Sequence, residues 1–541
     1  ETGKMSYLVP SSIFKTVFGN QLRLIIKDYV SCIKDYKDNN IFDNAIIKSS
    51  ILVLDRAKET KFLSYISANR DDIRVINKTR LGDKWIFTNL INCGDSRFGD
   101  YFKVSHVVAT LLNKAFVINL DNCKGEREYY QIGEHIIEKE KVWIPHIKKL
   151  GADAIYFSPV FESDTHGYNT RDYTKIDTRL GTNEDFANVC NNLHKEGIRV
   201  VLDGVFNHVG RGFWAFEDVL KNREQSPYVN WFGRIAFDGN SNYNDGLWYE
   251  GWEGNYDLVK LNLRNEEVIQ HIFSAIKGWV DEFDIDGLRL DVAYCLDHDF
   301  VRRLRSFCNE LKPDFFLVGE TLHGDYNQLM NDEMLHSVTN YECYKGLYSS
   351  FNCMNMFEIN HSLLRQFGPE NWTLYKGKHL LSFVDNHDVT RVASILTNKN
   401  HLPLIYALAF GMPGIPCVYY GSEWGAEGRK EDGDPALRPS FEKPEWNDLT
   451  EWISKLAEAK KQSKALQYGN FMSKVLTNGQ CVFEREWEGE RVYVAINAAD
   501  SPFYAGFDAG AAEATDLITG ETIALIGGFE IPGYRAFFLR V

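Results

Sequence analysis

Four short clusters of chemically capable side chains stand out in the sequence: Asp203 with Asn207 and His208, Arg289 with Asp291, Glu320 alone, and Asn386-His387-Asp388. Each closes an apolar run, as in RVVLDGV at 199–205, GLRLDVA at 287–293 and FFLVGE at 315–320. Side chains two apart on a strand share a face, so the Arg289 guanidinium can hold the Asp291 carboxylate ionised and oriented. Three carboxylates brought together repel unless each has its own task and protonation state. Cleavage of a glycosidic bond supplies such tasks: one carboxylate attacks, one protonates the leaving oxygen, and a third steadies an oxocarbenium-like charge. Taken singly, an acid at a strand end usually caps a helix or meets solvent, and a lone histidine is usually structural. Matched clusters at four strand ends favour a site over four coincidences.

The elements that must position these residues follow from the spacing of the apolar runs. Residues 154–159, 199–205, 287–293, 315–320, 380–386 and 416–420 read as fully buried strands, and long amphipathic stretches such as 268–283 and 299–311 separate them. Buried strands alternating with helices mean a parallel sheet, and eight-fold closure fits the span. The first strand is expected at 128–132 (EYYQI) and the sixth near 337–341; residues 133–141 then form a short first loop. Acidic and polar residues at the C-terminal ends of such strands are where catalysis is expected. The stretch 206–262 is too long for a simple loop and reads as a small domain over the barrel mouth. Its Trp231, Trp248, Tyr249 and Trp252 serve either as stacking faces for flat rings or as that domain's own core. Beyond residue 465 the runs shorten and alternate (480–486, 491–497, 521–525, 534–541), the pattern of a β-sandwich.

Residues 1–125 differ in character, with an excess of Lys and Arg, whereas the remainder is strongly acidic. Strands are expected at 50–55, 73–77, 85–92 and 115–119, helices at 57–69 and 101–113, and a Gly-rich turn at 94–100 that lacks dinucleotide-binding spacing. The expected fold class is therefore α/β, with an all-β C-terminal part. An N-terminal α/β module of unknown role spans 1–125, a (β/α)8 TIM barrel with an inserted domain at 208–262 spans 126–464, and an antiparallel β-sandwich spans 465–541.

The whole chain of 541 residues is 44% hydrophobic and 25% charged, the balance of a folded protein. Its net charge of −15 argues against nucleic acid as a partner, and no apolar run reaches the ~18 residues of a membrane span. Ten scattered cysteines without CxxC spacing read as free thiols of a reducing compartment. With no secretory leader visible, they point to the cytoplasm.

The four clusters resemble the signature segments of the α-amylase superfamily of glycoside hydrolases (family 13 type). Asp203-Gly204-Val205-Phe206-Asn207-His208 is similar to the first, Gly287-Leu288-Arg289-Leu290-Asp291 to the second, Val318-Gly319-Glu320 to the third, and Phe383-Val384-Asp385-Asn386-His387-Asp388 to the fourth. His166-Gly167-Tyr168-Asn169 and Leu258-Val259-Lys260-Leu261-Asn262 resemble further segments, the latter in the form of the neopullulanase and cyclomaltodextrinase branch. Tyr294-Cys295 stand where that branch carries an Asn-Glu pair.

The resemblance covers about residues 126–541. It implies that Asp291 is the nucleophile, Glu320 the acid and then the base, and Asp388 a stabiliser that binds sugar hydroxyls. It further implies that Arg289 positions Asp291, that His208 and His387 bond the sugar, that Tyr168 stacks beneath it, and that Asp203 supports the site. Asn207 and Trp252 complete the expected binding set.

The implied activity is retaining hydrolysis of α-1,4 bonds, with α-1,6 bonds open, in maltooligosaccharides, cyclodextrins or starch fragments. An α-glucosidase or glucan transferase with the same trio, and an inert barrel carrying an N-terminal binding module, stay open as alternatives. No cofactor is expected for the chemistry. A structural calcium ion, a homodimer and a partner for the N-terminal module also stay open.

Overall fold

The computed structural model describes residues 4–10, 29–35, 49–55, 61–67, 73–78, 107–110 and 127–541. The chain divides into two compact units, residues 1–101 and 102–541.

In the larger unit eight parallel strands form one closed sheet: β1 (Val107–Thr110), β2 (Ala152–Phe157), β3 (Arg199–Gly204), β4 (Gly287–Leu290), β5 (Phe316–Gly319), β6 (Ser337–Val338), β7 (Leu381–Phe383) and β8 (Ile415–Tyr419). Their order is β6-β5-β4-β3-β2-β1-β8-β7, and a parallel bridge from Thr339 to Leu381 joins the two ends. The (β/α)8 barrel is thus present. Strand β5 is buried along its whole length, which is why its sequence is apolar without alternation; β4 is equally buried and carries one charged residue, Arg289.

Helices α1 (Arg127–Leu150), α2 (Asn183–Lys195), α3 (Glu266–Phe283) and α4 (His298–Leu311) lie between strands. Each of the last three starts at a side-chain cap, Thr182, Asn265 and Asp297, that accepts from the first free backbone N–H groups. On α3, Val268, Ile269, Ile272, Phe273, Ile276, Trp279 and Phe283 form one buried stripe.

The start of the barrel corrects the sequence reading. Residues 128–132 are the first turns of α1, and the first strand is Val107–Thr110, inside the stretch expected to be helical and ahead of the expected boundary at 126. The apolar positions of α1 explain the helix: Trp143, Ile144, Ile147 and Leu150 recur at helical spacing and are all buried. The strand is only four residues long, and its β-branched Val-Val and Thr were masked by helix-compatible neighbours. Residues 133–141 are accordingly helix, not a short first loop; residues 111–126 separate β1 from α1.

The insertion follows β3. His208–Val209 pairs with Asn255–Lys260, and a helix at Trp214–Asn222 packs beneath. Trp231 and Tyr249 are core residues here, with the Tyr249 ring 4.9 Å from that of Phe216. Trp231 Nε1 also donates to Glu267 on α3 at 2.8 Å, tying the insertion to the barrel wall.

The C-terminal part is a sandwich of a six-stranded antiparallel sheet and the pair Phe503–Ala505 with Phe529–Ile531. Period-two alternation divides its faces. Val492, Val494 and Ile496 join the barrel core, while Tyr493 and Ala495 pack with Phe529, Ile531 and Leu539 in a second core.

In the smaller unit every described element is a strand. Five of them form a sheet in the order Lys4–Pro10, Ser49–Asp55, Val30–Asp35, Phe62–Ser67, Ile73–Asn77, antiparallel except between the third and fourth. The strand at Phe62–Ser67 replaces the helix expected over 57–69; Phe-Leu-Ser-Tyr-Ile-Ser carries the alternation and aromatic content of a strand. The strands expected at 85–92 and 115–119 and the turn at 94–100 lie outside the described residues. Among the described residues no helix is long and apolar enough to cross a membrane, and none of the eight cysteines is in a disulfide.

Candidate active site

The parallel ladder runs one residue beyond three strands. Asp291 N donates to Gly204 O at 3.1 Å, Glu320 N to Leu290 O at 2.9 Å, and Thr339 N to Gly319 O at 3.0 Å. The tips of β3, β4 and β5 are therefore held in register, with Asp203 directly beside Arg289. Gly319 is required by space: a Cβ there would lie 2.4 Å from Leu335 Cδ1 and 2.7 Å from Ala293 Cβ.

Arg289 is the hub. Its Nη1 donates to Asp203 at 2.9 Å and 3.0 Å and to Asp291 Oδ1 at 2.9 Å, and its Nη2 lies 3.1 Å from Glu320 Oε2. All four side chains are buried. Burial pushes the Asp203 carboxyl up to about 6 against the pull of Arg289. Burial raises Asp291 well above the usual carboxylate range, again opposed by Arg289 and reinforced by Glu320 and Asp203. Burial disfavours the Arg289 charge, yet Asp203 and Glu320 more than offset it, and the guanidinium stays ionised. One buried cation thus faces three buried carboxyls, and each ionised carboxyl disfavours ionisation of its neighbours.

The backbone after Asp291 turns sharply. Val292 has φ 40° and ψ 48°, a left-handed conformation that is costly for a β-branched residue. That turn aims Val292 N–H at Glu320 Oε2, 2.9 Å away. Oε2 thus receives donors from both Val292 and Arg289, so a proton on Glu320 must sit on Oε1.

A second arm runs from Asp203 to Asp388. The Tyr168 hydroxyl donates to Asp203 Oδ2 at 3.1 Å and lies 2.8 Å from His387 Nε2; the two rings are parallel within 5° at 5.8 Å. His387 Nε2 is also 3.1 Å from Asp388 Oδ2. Burial, with Arg438 and Arg289 adding, lowers His387 well below its ordinary value, so the ring is neutral. Its proton then belongs on Nε2, where both neighbours can accept it.

On the other side His208 Nε2 lies 3.8 Å from Asp291 Oδ2 and, though buried, has no hydrogen-bond partner. Burial lowers His208 to about 3, so it too is neutral. Asn207 Nδ2 contacts His208 Nδ1 at 3.1 Å, and the Trp252 ring sits 5.8 Å from that of His208.

Tyr168, Asp203, Asn207, His208, Trp252, Arg289, Asp291, Glu320, His387 and Asp388 therefore lie in one connected cluster, whereas Trp231 and Tyr249 are core residues of the insertion. Asp388 is the open member of the cluster, with a side chain 38% exposed. Sequence reasoning missed three contributors: the Val292 N–H, Tyr341, whose hydroxyl accepts from Asn386 Nδ2 at 2.9 Å, and Arg438, whose Nη2 lies 3.3 Å from Asp388 Oδ1. For Arg438 the available signal was an arginine closing a Pro-bounded turn, Gly433-Asp434-Pro435-Ala436-Leu437-Arg438-Pro439, after the last barrel strand. Among the described residues no group of three or more His, Cys, Asp or Glu side chains is placed to hold a metal ion, calcium included.

Known proteins are similar to this chain in sequence and fold. The chain is 31% identical over 371 residues to a cyclomaltodextrinase of Thermoanaerobacter pseudethanolicus, covering 65% of this chain and 62% of that protein. It is also 31% identical over 334 residues to an intracellular maltogenic amylase of Bacillus subtilis, covering 60% of this chain and 54% of that one. The chain thus spans between about half and two thirds of these relatives' lengths.

Among solved structures, the ligand-free cyclic α-maltosyl-(1→6)-maltose hydrolase of Arthrobacter globiformis superposes with a TM-score of 0.67 at 26% identity, over 81% of this chain and 99% of that one. The family pattern described as alpha amylase, catalytic domain, matches residues 136–470, which carry the hub, both arms and seven of the eight barrel strands. That match spans more than half of the sequence, and the chain belongs to the α-amylase family.

Proposed function

We propose that this protein is a retaining α-glucan hydrolase that cleaves α-1,4 bonds, and α-1,6 bonds where its substrates contain them. Its substrates are short maltooligosaccharides, cyclodextrins or starch fragments. The observation that carries the reading is the hub: one buried guanidinium bonded to three carboxyls that come from three strand tips. The names of the cyclomaltodextrinase and maltogenic amylase relatives support the substrate class, and that of the Arthrobacter hydrolase supports α-1,6 bonds. The relative named as intracellular supports a place inside the cell.

In this reading Asp291 attacks the anomeric carbon. Arg289 holds Oδ1, which leaves Oδ2 to form the bond. Glu320, with Oε2 occupied by Arg289 and Val292, delivers the proton from Oε1 to the departing glycosidic oxygen. The glycosyl ester on Asp291 is then opened by a water whose proton returns to Glu320, so the anomeric configuration is retained. His208, unpartnered beside Asp291, and the His387–Asp388 pair bond the sugar's hydroxyls; Tyr168 offers its ring to the sugar face. Asp203 fixes Arg289 and Tyr168 together, so both arms share one support. The site needs no cofactor for these steps.

The test is anomer-resolved proton NMR of maltotetraose and of β-cyclodextrin with the full chain. The expected early product is the α-anomer. Asp291→Asn and Glu320→Gln should each lower turnover by orders of magnitude with little change in melting temperature. An early β-anomer, or near-parental rates in those variants, defeats the assignment.

A further inference from the structure

Asp388 differs from the other two acids in its support. Asp291 and Glu320 have side chains 8% exposed and are bonded to Arg289, whereas the Asp388 side chain is 38% exposed and out of that arginine's hydrogen bonds. An open carboxylate visits several rotamers unless something restrains it. One restraint is His387. The other is Arg438, with Nη2 at 3.3 Å from Asp388 Oδ1 and Nε at 3.5 Å from His387 O. The Arg438 guanidinium carbon also lies 5.5 Å from the centroid of the Tyr168 ring, within cation–π range. A single side chain, only 12% exposed, thus touches Asp388, the peptide before it and the aromatic wall of the site.

The backbone around Arg438 is built to hold it. Leu437 O accepts from Arg391 Nη2 at 3.0 Å and from the Tyr419 hydroxyl at 2.9 Å, and Pro439 O accepts from the Tyr420 hydroxyl at 2.6 Å. Arg391 is fully buried and donates as well to Tyr420 O and Ser422 Oγ, while Ser422 donates to Asp385 at 2.7 Å. The carbonyls on both sides of Arg438 are therefore pinned to the ends of β7 and β8, the same strands that lead to Asp388 and to this turn. An arginine serving only solubility needs no such anchoring. The exposed Asp434, 3.6 Å from Nη1, adds little.

We propose that Arg438 is a positioning residue that holds the Asp388 carboxylate in the orientation that receives sugar hydroxyls, and that the planar fork is required for it. This rests on the α-glucan hydrolase reading. Lysine supplies the charge but cannot reach Asp388, His387 O and the Tyr168 face together.

The test is steady-state kinetics on an activated aryl maltoside with the full-length chain. Arg438→Ala and Arg438→Lys are measured alone and crossed with Asp388→Asn. Loss of one charge-assisted hydrogen bond lowers kcat by about 10- to 100-fold, with a smaller change in KM and near-parental melting temperature. In the Asp388→Asn background the same Arg438→Ala change costs less than about threefold, because the group it positions is gone. Added ethylguanidinium partly restores Arg438→Ala and leaves the double variant unchanged. An equal cost in both backgrounds overturns the proposal, and so does a lysine variant with parental kcat. If Arg438→Ala fails to fold, the lysine pair decides by the same criteria. A parent chain that cleaves no α-glucan defeats the functional reading and this inference together; an active parent with an unimpaired Arg438→Ala defeats this inference alone.

Discussion

Arg289→Met is the perturbation that tests the hub most directly. Methionine approximates the volume of the arginine stem but leaves Asp203, Asp291 and Glu320 buried without a cation. Removing one partner of a buried ionic cluster costs about 3–5 kcal/mol. With an unfolding entropy of ~2.1 cal/mol/K per residue, a unit of about 400 residues loses ~1.2 °C per kcal/mol, which gives a fall of about 4–6 °C at neutral pH.

The fall must depend on pH, with a defined sign. Asp203 already sits up at about 6 with Arg289 present, and losing the cation moves it and Asp291 higher. An acid whose folded value lies above its unfolded value destabilises the fold progressively as pH rises through that window. The variant has the wider window, so its deficit relative to the parent is smallest near pH 4.5 and largest near pH 8. Histidine titrations are common to both proteins and cancel in the difference. The assay is thermal unfolding of both at half-unit intervals from pH 4.5 to 8, with turnover measured alongside. Turnover should nearly vanish, because Asp291 is then protonated and unrestrained. A deficit that is constant across this range, or none at all, refutes the view that Arg289 compensates the three carboxyls.

Two further expectations follow from other groups of the barrel. Burial lowers His379 to about 4, so it is neutral when folded and must be paid for below its unfolded value of about 6.5. The stability it contributes is full above that value and is lost as pH falls, up to about 3 kcal/mol by pH 4; His379→Gln should melt closer to the parent at pH 4.5 than at pH 7, and a pH-independent difference between the two contradicts this. Gly319→Ala should cost about 1–3 kcal/mol by overpacking against Leu335 and Ala293, and should lower kcat at least tenfold by displacing the adjacent Glu320; parental kinetics in a destabilised variant would separate the two effects and refute the second.

How far the fold could be read depended on length and company. Six barrel strands were visible because buried parallel strands are largely apolar and end in polar clusters, as with Phe316–Gly319 before Glu320; the sixth in chain order, Ser337–Val338, followed from the position left for it near 337–341. Val107–Thr110 was not, because four residues carry too little pattern to outweigh flanking residues that also suit a helix. Residues 128–132 show the reverse error. Two tyrosines and an isoleucine read as a strand in a five-residue window, while the helical repeat that decides the matter, Trp143 to Leu150, begins eleven residues later.

The site divides along the same physical line. Residues that act from strand tips were legible because the period of a strand fixes which side chains face together, so Arg289 and Asp291 could be paired from spacing alone. Groups that act from irregular backbone were not. The Val292 N–H reaches Glu320 from a turn in which that residue takes φ 40°, and no residue type announces such a turn when the residue is valine rather than glycine. Arg438 stands fifty positions from Asp388 and meets it only because Arg391, Tyr419 and Tyr420 fix the carbonyls beside it. The acids of the site are thus encoded locally, whereas the groups that orient them are encoded by tertiary anchoring. Substitutions at Arg391 should accordingly disturb Asp388 without touching it, acting through the Leu437 carbonyl and the arginine it carries.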